Sequence, residues 1–511
     1  MAFQSLLIFS AVATLSYTIY LAITRLYTSP VAHIPGPRLA AFSFWYEFYY
    51  DVFLGGRYTW KIAELHDRYG PIIRINPYEV HINDPDFYDE VYVSGSKRKT
   101  DKWSWTEKVP MFGTPNSILA TIEHDVHRRR RNAYSNYFSK QAIRKYSDVI
   151  QAAVDKLCIK LSESQTTGQK VNLMHAYTAM TGDVVTGYCF PQSYGLLDQP
   201  DFAPDYHDLW ISILSGSHVL KQFPWMFPLM LSFPNWFVDR FLPDLAVTYR
   251  WHREWRKQIQ AVKAGDPSSS ADGEKRFSRP SIFETLLDSD LPPFDKSVPR
   301  LVEDAQTMVG AGSITTSFAL ALGTYYILSS APVLRKLTAE LEAAIPSPET
   351  MPSLTALEKL PYLTAVQLET LRISYGVSHR LQRVCPDQAI RYHDTVIPPG
   401  TPVSMSAPHI HDHPAIFPHP RVFDPERWLP LESTGAGLQK YLVAFSRGSR
   451  QCLGMHLGAA EVLMGIAAVV RRFGKEMRVV DTLRERDVEV ARDYFTPMTR
   501  GDSKGIWVVV N

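Results

Sequence analysis

The chain has 511 residues with a formal net charge of +2, and 45% of the residues are hydrophobic and 12% aromatic. A chain of this length can bury a large core, while its near-neutral charge gives no argument for nucleic-acid binding. Its four cysteines, Cys158, Cys189, Cys385 and Cys452, form no C-x-x-C pair, so they indicate neither a zinc site nor a disulfide framework and fit a reducing, cytosol-facing domain.

The first predicted element is a transmembrane helix. The run from residue 6 to residue 23 is predominantly apolar, with no Lys, Arg, Asp or Glu before Arg25, and it can just span a hydrocarbon core about 30 Å thick. A cleaved signal peptide is the alternative. Its small-residue site, Ala11-Val12-Ala13, lies in the middle of the run without a preceding basic segment, which favours an uncleaved anchor.

The residues after the anchor predict its orientation. Arg25 and Arg38 follow the apolar run, so we expect the rest of the chain to face the cytoplasm. Several prolines around them form a stiff break. We therefore predict an anchor over residues 1–25, a proline-rich hinge over 26–40 and one large domain over 41–511.

A second long apolar run extends from residue 301 to about residue 328 and predicts a buried helix. It is interrupted by Gly310-Ala311-Gly312-Ser313-Ile314-Thr315-Thr316. Small residues leave room beside a helix, and a threonine hydroxyl can bind a backbone carbonyl or hold water where the helix opens. The alternative is that the glycines only allow close packing of a core helix.

Two charged segments follow. Glu369-Thr370-Leu371-Arg372 places an acid and a base three residues apart, and Phe423-Asp424-Pro425-Glu426-Arg427-Trp428 comes later in the chain. An i,i+3 ion pair alone is common on helix surfaces. The order and spacing of these segments relative to Cys452 give them their weight.

The most specific segment is the ten-residue run from Phe445 to Gly454, which reads F-x-x-G-x-R-x-C-x-G and precedes an apolar helical stretch. A cysteine thiolate that binds iron needs a dry site, and the free N–H groups and dipole of a following helix can stabilise its charge. Gly448 and Gly454 would let the backbone pass close to a flat macrocycle, and Arg450 offers a planar fork for a carboxylate. The alternative for Cys452 is a buried structural thiol.

With these motifs in this order, the chain resembles the cytochrome P-450 superfamily of heme-thiolate monooxygenases from about residue 30 to residue 500. The resemblance implies a mainly α fold with a small β subdomain, preceded by the single transmembrane helix. It also implies heme b as the cofactor, with Cys452 as the axial ligand of the iron. Glu369, Arg372 and Arg427 would form a buried ion-pair network that supports the cysteine loop.

The resemblance also implies which residues contact the heme. His127 and Arg131 fall at the positions that contact the propionates, with histidine where the family most often has tryptophan; a histidine can still donate that hydrogen bond. Arg128, Arg129 and Arg130 between them predict a solvated patch that would attract an acidic electron donor. The complete predicted cofactor set is Cys452, Arg450, His127, Arg131, Arg383, Phe445 and Gly448.

On the distal side, Thr315 matches the family's oxygen-activating hydroxyl, and Thr316 follows it. The family's usual acid before this threonine is replaced by Ile314, and Asp304 lies about 15 Å away along a helix, too far to substitute. Because loss of a positioned proton donor typically costs about 10²–10⁴-fold in rate, we expect water chains or substrate hydroxyls to supply the protons.

By family position, the substrate pocket should be apolar and aromatic, which suits a lipophilic molecule. Between residues 221 and 245, an apolar, proline-broken segment is explained either by core packing or by contact of Trp225, Phe227 and Trp236 with lipid at the substrate entrance. The predicted pocket residues are Trp105, Phe112, Met308, Ala311, Ile314, Val377, Ser378 and Thr496.

The segments from Arg279 to Leu287 and from Tyr375 to Leu381 further resemble filamentous-fungal members such as trichodiene-oxygenase-like enzymes. The resemblance therefore implies hydroxylation or successive oxidation of a terpenoid-like intermediate of secondary metabolism. Three alternatives remain open: a polyketide or alkaloid-type substrate, rearrangement or dehydrogenation without net oxygen insertion, and a non-catalytic heme-binding sensor.

The implied partners follow from the same resemblance. Electrons would come from NADPH through NADPH–cytochrome P-450 reductase, with cytochrome b5 as an additional donor. The chain would reside in the endoplasmic reticulum membrane through one anchor, with its catalytic domain in the cytoplasm and no nucleic-acid partner.

Overall fold

The first helix of the protein, α1 (Ala2–Leu26), is apolar and not buried against the remaining chain. The structure, a computed structural model, describes residues 2–107, 113–191, 193–264, 281–429 and 435–511. From Phe3 onward, α1 is long and apolar enough to cross a membrane. At its C-terminal end the Arg25 side chain donates a hydrogen bond to the carbonyl of Phe42 at 2.7 Å. The predicted N-terminal apolar helix is therefore present.

Helices dominate the rest of the described chain, as the sequence predicts. In chain order they are α2 (Arg38–Phe42), α3 (Trp45–Phe48), α4 (Tyr58–Tyr69), α5 (Tyr88–Val91), α6 (Ser104–Glu107), α7 (His124–Ser135), α8 (Lys140–Lys145), α9 (Ser147–Thr167), α10 (Leu173–Cys189), α11 (Pro204–Gln222), α12 (Met226–Leu231), α13 (Asn235–Phe241), α14 (Pro243–Ala264), α15 (Ile282–Asp288), α16 (Val298–Ser329), α17 (Ala331–Ala344), α18 (Leu354–Leu357), α19 (Pro361–Ile373), α20 (Ala407–His411), α21 (Gly435–Gln439) and α22 (Met455–Phe473).

The strands are short and form small sheets. They are β1 (Ile72–Arg74), β2 (Val80–Ile82), β3 (Val171–Asn172), β4 (Arg383–Val384), β5 (Ile390–Tyr392), β6 (Thr395–Ile397), β7 (Pro402–Ser404), β8 (Met477–Val480), β9 (Arg492–Tyr494), β10 (Thr496–Met498) and β11 (Trp507–Val510). One sheet has the order β1-β2-β7-β4, a second has the order β3-β11-β8, and β5-β6 and β9-β10 form two-stranded pairs. Only the β2–β7 pair is parallel among these strands.

The centre of the core is α16, most of whose residues are buried. It packs against α10, α14, α19 and α22. A side chain at Gly312 would place its Cβ 2.7 Å from the Val185 side chain, and one at Gly310 would overlap the ring of Trp210. These glycines therefore allow close packing of α16 against neighbouring helices, which was the alternative reading of the sequence. The packing fixes α16 relative to α22, the helix that follows Cys452.

Candidate active site

The motif residues at 445–454 and the helix α16 line the same cavity, which has a volume of about 340 Å³. Residues of α11, α22 and the segment around Val377 complete its wall. Three of the four cysteines, Cys158, Cys189 and Cys385, are buried, whereas Cys452 is exposed, and its exposed surface faces this cavity. The fold thus brings the cysteine loop and the distal helix, which are far apart in the sequence, to one enclosed space.

The cysteine loop is held by backbone hydrogen bonds. The Cys452 N–H donates to the carbonyl of Phe445 at 2.9 Å, and the Ser449 N–H donates to the carbonyl of Val93 at 3.0 Å. Gly448 has a φ of +74°, and a Cβ there would collide with the carbonyl oxygens of Tyr92 and Val93. Glycine is therefore required at 448 by the approach of this backbone, a different reason from the macrocycle contact that we expected.

The surroundings of the Cys452 thiol act on its ionisation in opposite directions. Although the thiol is exposed to the cavity, the protein atoms around it withdraw it from bulk water and so raise its pKa, while the backbone N–H of Gly454 and the charge of Arg131 lower it. Gly454 immediately precedes α22, so this N–H belongs to the start of a helix. The arrangement can stabilise a thiolate once a bound cation adds its own charge.

Several cationic side chains line the cavity together with Cys452: Lys102, Arg131, Arg383 and Arg450. Arg131 donates to the carbonyl of Gln451 at 2.6 Å, and Arg450 donates to the carbonyl of Thr121 at 2.6 Å. Burial and the charges of these four residues lower the pKa of His127 to about 2. The crowding of positive charge around one cavity fits a ligand with two carboxylates, and the thiol fits its metal. The residues present therefore fit heme.

The distal helix presents two threonines in different ways. The Thr315 hydroxyl donates to the carbonyl of Ala311 at 2.8 Å, and its side chain is exposed to the cavity. Thr316 is buried, and its hydroxyl lies near enough to the Glu461 carboxyl to lower the pKa of that acid. Ile314 lines the cavity at the acid position. Asp304 is bound elsewhere, 2.7 Å from the N–H of Ile118 and 2.9 Å from Arg300, so it does not replace the missing acid.

Glu461 is a cavity residue that the sequence analysis missed. It lies on α22, is buried, and its Oε1 accepts no hydrogen bond from the described residues. Burial holds the pKa of its carboxyl well above the ordinary value, and the nearby Thr316 hydroxyl acts in the opposite direction. The sequence does contain a signal, because Glu461 is the only acidic residue of the largely apolar helix after Cys452. Burial therefore favours the protonated form of this carboxyl.

The acidic and basic residues of the two charged segments meet in the core. The Glu369 carboxylate lies 2.8 Å from Arg372 and 3.3 Å from Arg427, and it accepts a hydrogen bond from Trp428 Nε1 at 3.0 Å. Arg372 also donates to the carbonyl of His411 at 3.0 Å. All partners are buried or nearly so, which makes each charge dependent on the others.

The arginine patch departs from our prediction at one position. Arg130 is buried and forms an ion pair with Asp295 at 2.8 Å, so it is not part of a solvated surface. Arg129, whose side chain is half-exposed, contacts the same carboxylate at 3.1 Å. Arg128 is exposed. The patch that remains available to a partner is smaller than the four-arginine run suggests.

Most of the predicted pocket residues line the cavity, and two described ones do not. Ser378 is buried and donates to Asp493 at 2.8 Å, and Trp105 stacks on Phe44 with 4.2 Å between ring centroids. Phe112 lies outside the described residues. The predicted residues that line the cavity are Cys452, Arg450, His127, Arg131, Arg383, Phe445, Thr315, Thr316, Met308, Ala311, Ile314, Val377 and Thr496.

Comparison with known proteins agrees with this geometry. The family model for cytochrome P450 matches residues 35–489. The chain is 42% identical to the tryptophan 6-hydroxylase fscE of Fusarium equiseti, over 96% of this chain and 94% of the relative. It is 41% identical to the N-acetyltryptophan 6-hydroxylase ivoC of Emericella nidulans (97% and 96%) and 40% identical to the cytochrome P450 monooxygenase tpcC of Cochliobolus heterostrophus (98% and 96%).

Proposed function

The chain belongs to the cytochrome P450 family and is a monooxygenase of that family, and from this premise we propose that it oxidises a small molecule of fungal secondary metabolism. The observation that carries the proposal is the single cavity lined by Cys452, by a group of cations and by the threonines of α16. Heme bound there would supply the activation of dioxygen, with Cys452 as its ligand. Arg131, Arg383, Arg450 and His127 would hold its propionates.

The protein's own residues then orient the substrate and hold protons. Thr315 keeps its hydroxyl bound to the Ala311 carbonyl and exposed to the cavity, where it can hold water. Burial favours the protonated form of the Glu461 carboxyl, which lies close to the Thr316 hydroxyl. We propose that these two groups compensate for the missing acid at Ile314, with water completing the path. The sequence led us to expect that a chain of water molecules delivers the protons, and Glu461 would be the source of those protons.

There are two candidate substrate classes, terpenoids and indole derivatives, and the named relatives favour the second. The wall contributed by α11 and α16 is mainly apolar, with Trp210, Ile213, Met308 and Ile314, which supports a neutral lipophilic substrate such as a terpenoid. Two relatives are named for hydroxylation of tryptophan or N-acetyltryptophan, which favours an indole derivative. The terpenoid proposal therefore has no support from these relatives.

Two experiments test the activity and the substrate class. In membranes that contain reductase and NADPH, ¹⁸O₂ should label the product; an unlabelled product would favour rearrangement or dehydrogenation, and no NADPH consumption with any substrate would favour a sensor. Spectral titration of the purified holoenzyme with N-acetyltryptophan and with a neutral terpene alcohol should show which one displaces water from the heme.

We further propose that the catalytic domain rests on the endoplasmic reticulum membrane near α1. Trp225 directly precedes α12 and is 63% exposed, and Trp236 lies in α13 and is 68% exposed. Leu229 of α12 and Phe241 of α13 are also exposed. A chain without residues 2–26 should still bind vesicles, and a Trp225→Ser/Trp236→Ser variant of it should bind at least tenfold less. Phe294→Ser is the matched control, since Phe294 is equally exposed elsewhere. A truncated chain that ignores vesicles would contradict this proposal.

A further inference from the structure

Two histidines and an aspartate converge on the surface where α10 and α11 begin. His175 lies in the first turn of α10, and His207 and Asp208 lie in the first turns of α11. One ligand atom from each residue lies within 4.8 Å of the others. His175 is half-buried, His207 is buried and Asp208 is exposed. The cluster is outside the heme cavity, and none of its members lines that cavity.

The hydrogen bonds behind His207 determine which of its nitrogens carries the proton. The Ser317 hydroxyl donates to the carbonyl of Ile314 at 3.1 Å, and the Thr178 hydroxyl donates to Ser317 Oγ at 3.1 Å. Thr178 has therefore used its only proton, so at its 3.0 Å contact with His207 Nδ1 it must accept. Nδ1 carries the hydrogen, and Nε2 carries the free lone pair. This is the support that metal-binding histidines commonly have.

We propose that His175, His207 and Asp208 form a Zn²⁺ site that joins α10 to α11. Two imidazoles and one carboxylate are a common ligand set for zinc, with water in the fourth position. Ligands at about 2.0–2.1 Å in a tetrahedral site lie about 3.3 Å apart, so ligand atoms that now lie within 4.8 Å of one another have to move closer together on binding.

The position of the site gives it a consequence for the cavity. α11 begins at the cluster and, farther along, contributes Trp210, Ile213 and Leu214 to the cavity wall. A metal that joins α10 to α11 would restrain the part of this wall that moves with α11. Bound Zn²⁺ should therefore slow amide hydrogen exchange in the first turns of α11 and have no such effect on a helix away from the site, such as α17.

The test is calorimetric titration of the tag-free holoenzyme with Zn²⁺. We expect one site in the wild type and binding that is weaker by about 100-fold or more in His207→Ala and in Asp208→Asn. Thr178→Val leaves all three ligands in place but removes the acceptor for His207 Nδ1, so it should weaken binding by about 10- to 100-fold. His252→Gln, a half-buried histidine on α14 outside the cluster, is the matched control.

Asp208→Asn protects the test against misfolding, because its side chain is on the surface. The control His252→Gln should bind Zn²⁺ as the wild type does. The proposal is overturned if the wild type binds no Zn²⁺, or if Asp208→Asn binds it with the same affinity as the wild type and the control. Equal affinity in all variants would mean that Zn²⁺ binds elsewhere. The hydrogen exchange of α11 must respond to Zn²⁺ in the wild type and not in Asp208→Asn.

Discussion

The two faces of the heme cavity are built in different ways. The face that carries Cys452 is centred on one ten-residue segment. Its backbone is held by a hydrogen bond within the segment, from the Cys452 N–H to the Phe445 carbonyl at 2.9 Å, and by one to an adjoining segment, from the Ser449 N–H to the Val93 carbonyl at 3.0 Å. The face on α16 depends on another helix, because Thr316 lies beside Glu461 of α22 and acts on the pKa of its carboxyl. A site made by one segment can be recognised from a motif. A site completed by a contact between helices that are distant in the sequence can be recognised only once the fold is known.

The largest expected effect is on the cysteine face. Cys452→Ala removes the only cysteine among the described cavity-lining residues, so the red-shifted band in the reduced carbon-monoxide difference spectrum should disappear completely. Cys385→Ala is the control, because Cys385 is buried in another part of the core. A band that survives in Cys452→Ala would mean that another residue is the ligand.

The next effect concerns the support of that face. Arg372→Ala leaves the buried Glu369 carboxylate without its closest cation, at 2.8 Å, and should lower the free energy of unfolding by about 3–5 kcal/mol with loss of heme. Lys160→Ala is a matched control, because Lys160 and Glu163 form an ion pair with the same i,i+3 spacing on the surface of α9. That variant should lose less than about 1 kcal/mol. Denaturant midpoints of both variants measure the difference.

An equal loss in the two variants would contradict the distinction between them. The comparison also shows what spacing alone can and cannot predict. Both pairs have the same i,i+3 spacing, with the acid first in one and the base first in the other, and only the later Arg427 and Trp428 segment marks the buried one. Arg427 and Trp428 contact Glu369 at 3.3 Å and 3.0 Å. A buried carboxylate needs such partners, because it has lost its hydrogen bonds to water.

The sequence predicted much of the fold and the cysteine face because their signals are local. The apolar runs gave α1 and α16, and the motif around Cys452 gave the residues that line one side of the cavity. It did not predict the Thr316–Glu461 contact, since nothing in either segment indicates the other. Nor did it predict the buried cluster in which Lys221 lies 2.6 Å from Glu47 and 3.1 Å from Asp51.

The third prediction tests the contact between the two faces. Glu461→Gln keeps the size of the side chain and its position beside Thr316 but removes the exchangeable acid. The amount of product formed per NADPH consumed should fall by about 10²-fold, the low end for loss of a positioned proton donor, since water shares the path. Glu342→Gln, an exposed acid of α17, should change nothing. Unchanged coupling in Glu461→Gln would assign Glu461 a purely structural role.

The same variant gives a test that needs no substrate. Because burial raises the pKa of Glu461 above its ordinary value of 4.5, the folded protein retains a proton that the unfolded chain releases as the pH rises past that value. The wild type therefore loses stability as the pH rises from there toward the folded pKa, and Glu461→Gln lacks this loss. Denaturant midpoints at pH 6 and pH 8 should diverge in that direction. A constant difference would show that Glu461 is ionised in the fold.

The smallest expected effect is at Ile314, where the distal face departs from the family pattern. Ile314→Glu adds an acid beside a path that already has a proton source in Glu461, so coupling in the wild-type background should be preserved or rise only a few-fold. In Glu461→Gln the same change should restore part of the lost coupling, because the new carboxyl lines the same cavity.

Ile314→Gln separates the effect of the added acid from the effect on packing, because glutamine is as large as glutamate and also polar but has no acidic proton. Both variants place a polar group at a buried position, so both should lose similar stability, and only the glutamate should restore coupling in Glu461→Gln. A clean switch of reaction type in Ile314→Glu would instead show that the isoleucine determines which reaction occurs. Rescue by the glutamate alone would show that the two faces of the cavity share one proton supply, and that Glu461 allows the distal helix to function without its own acid.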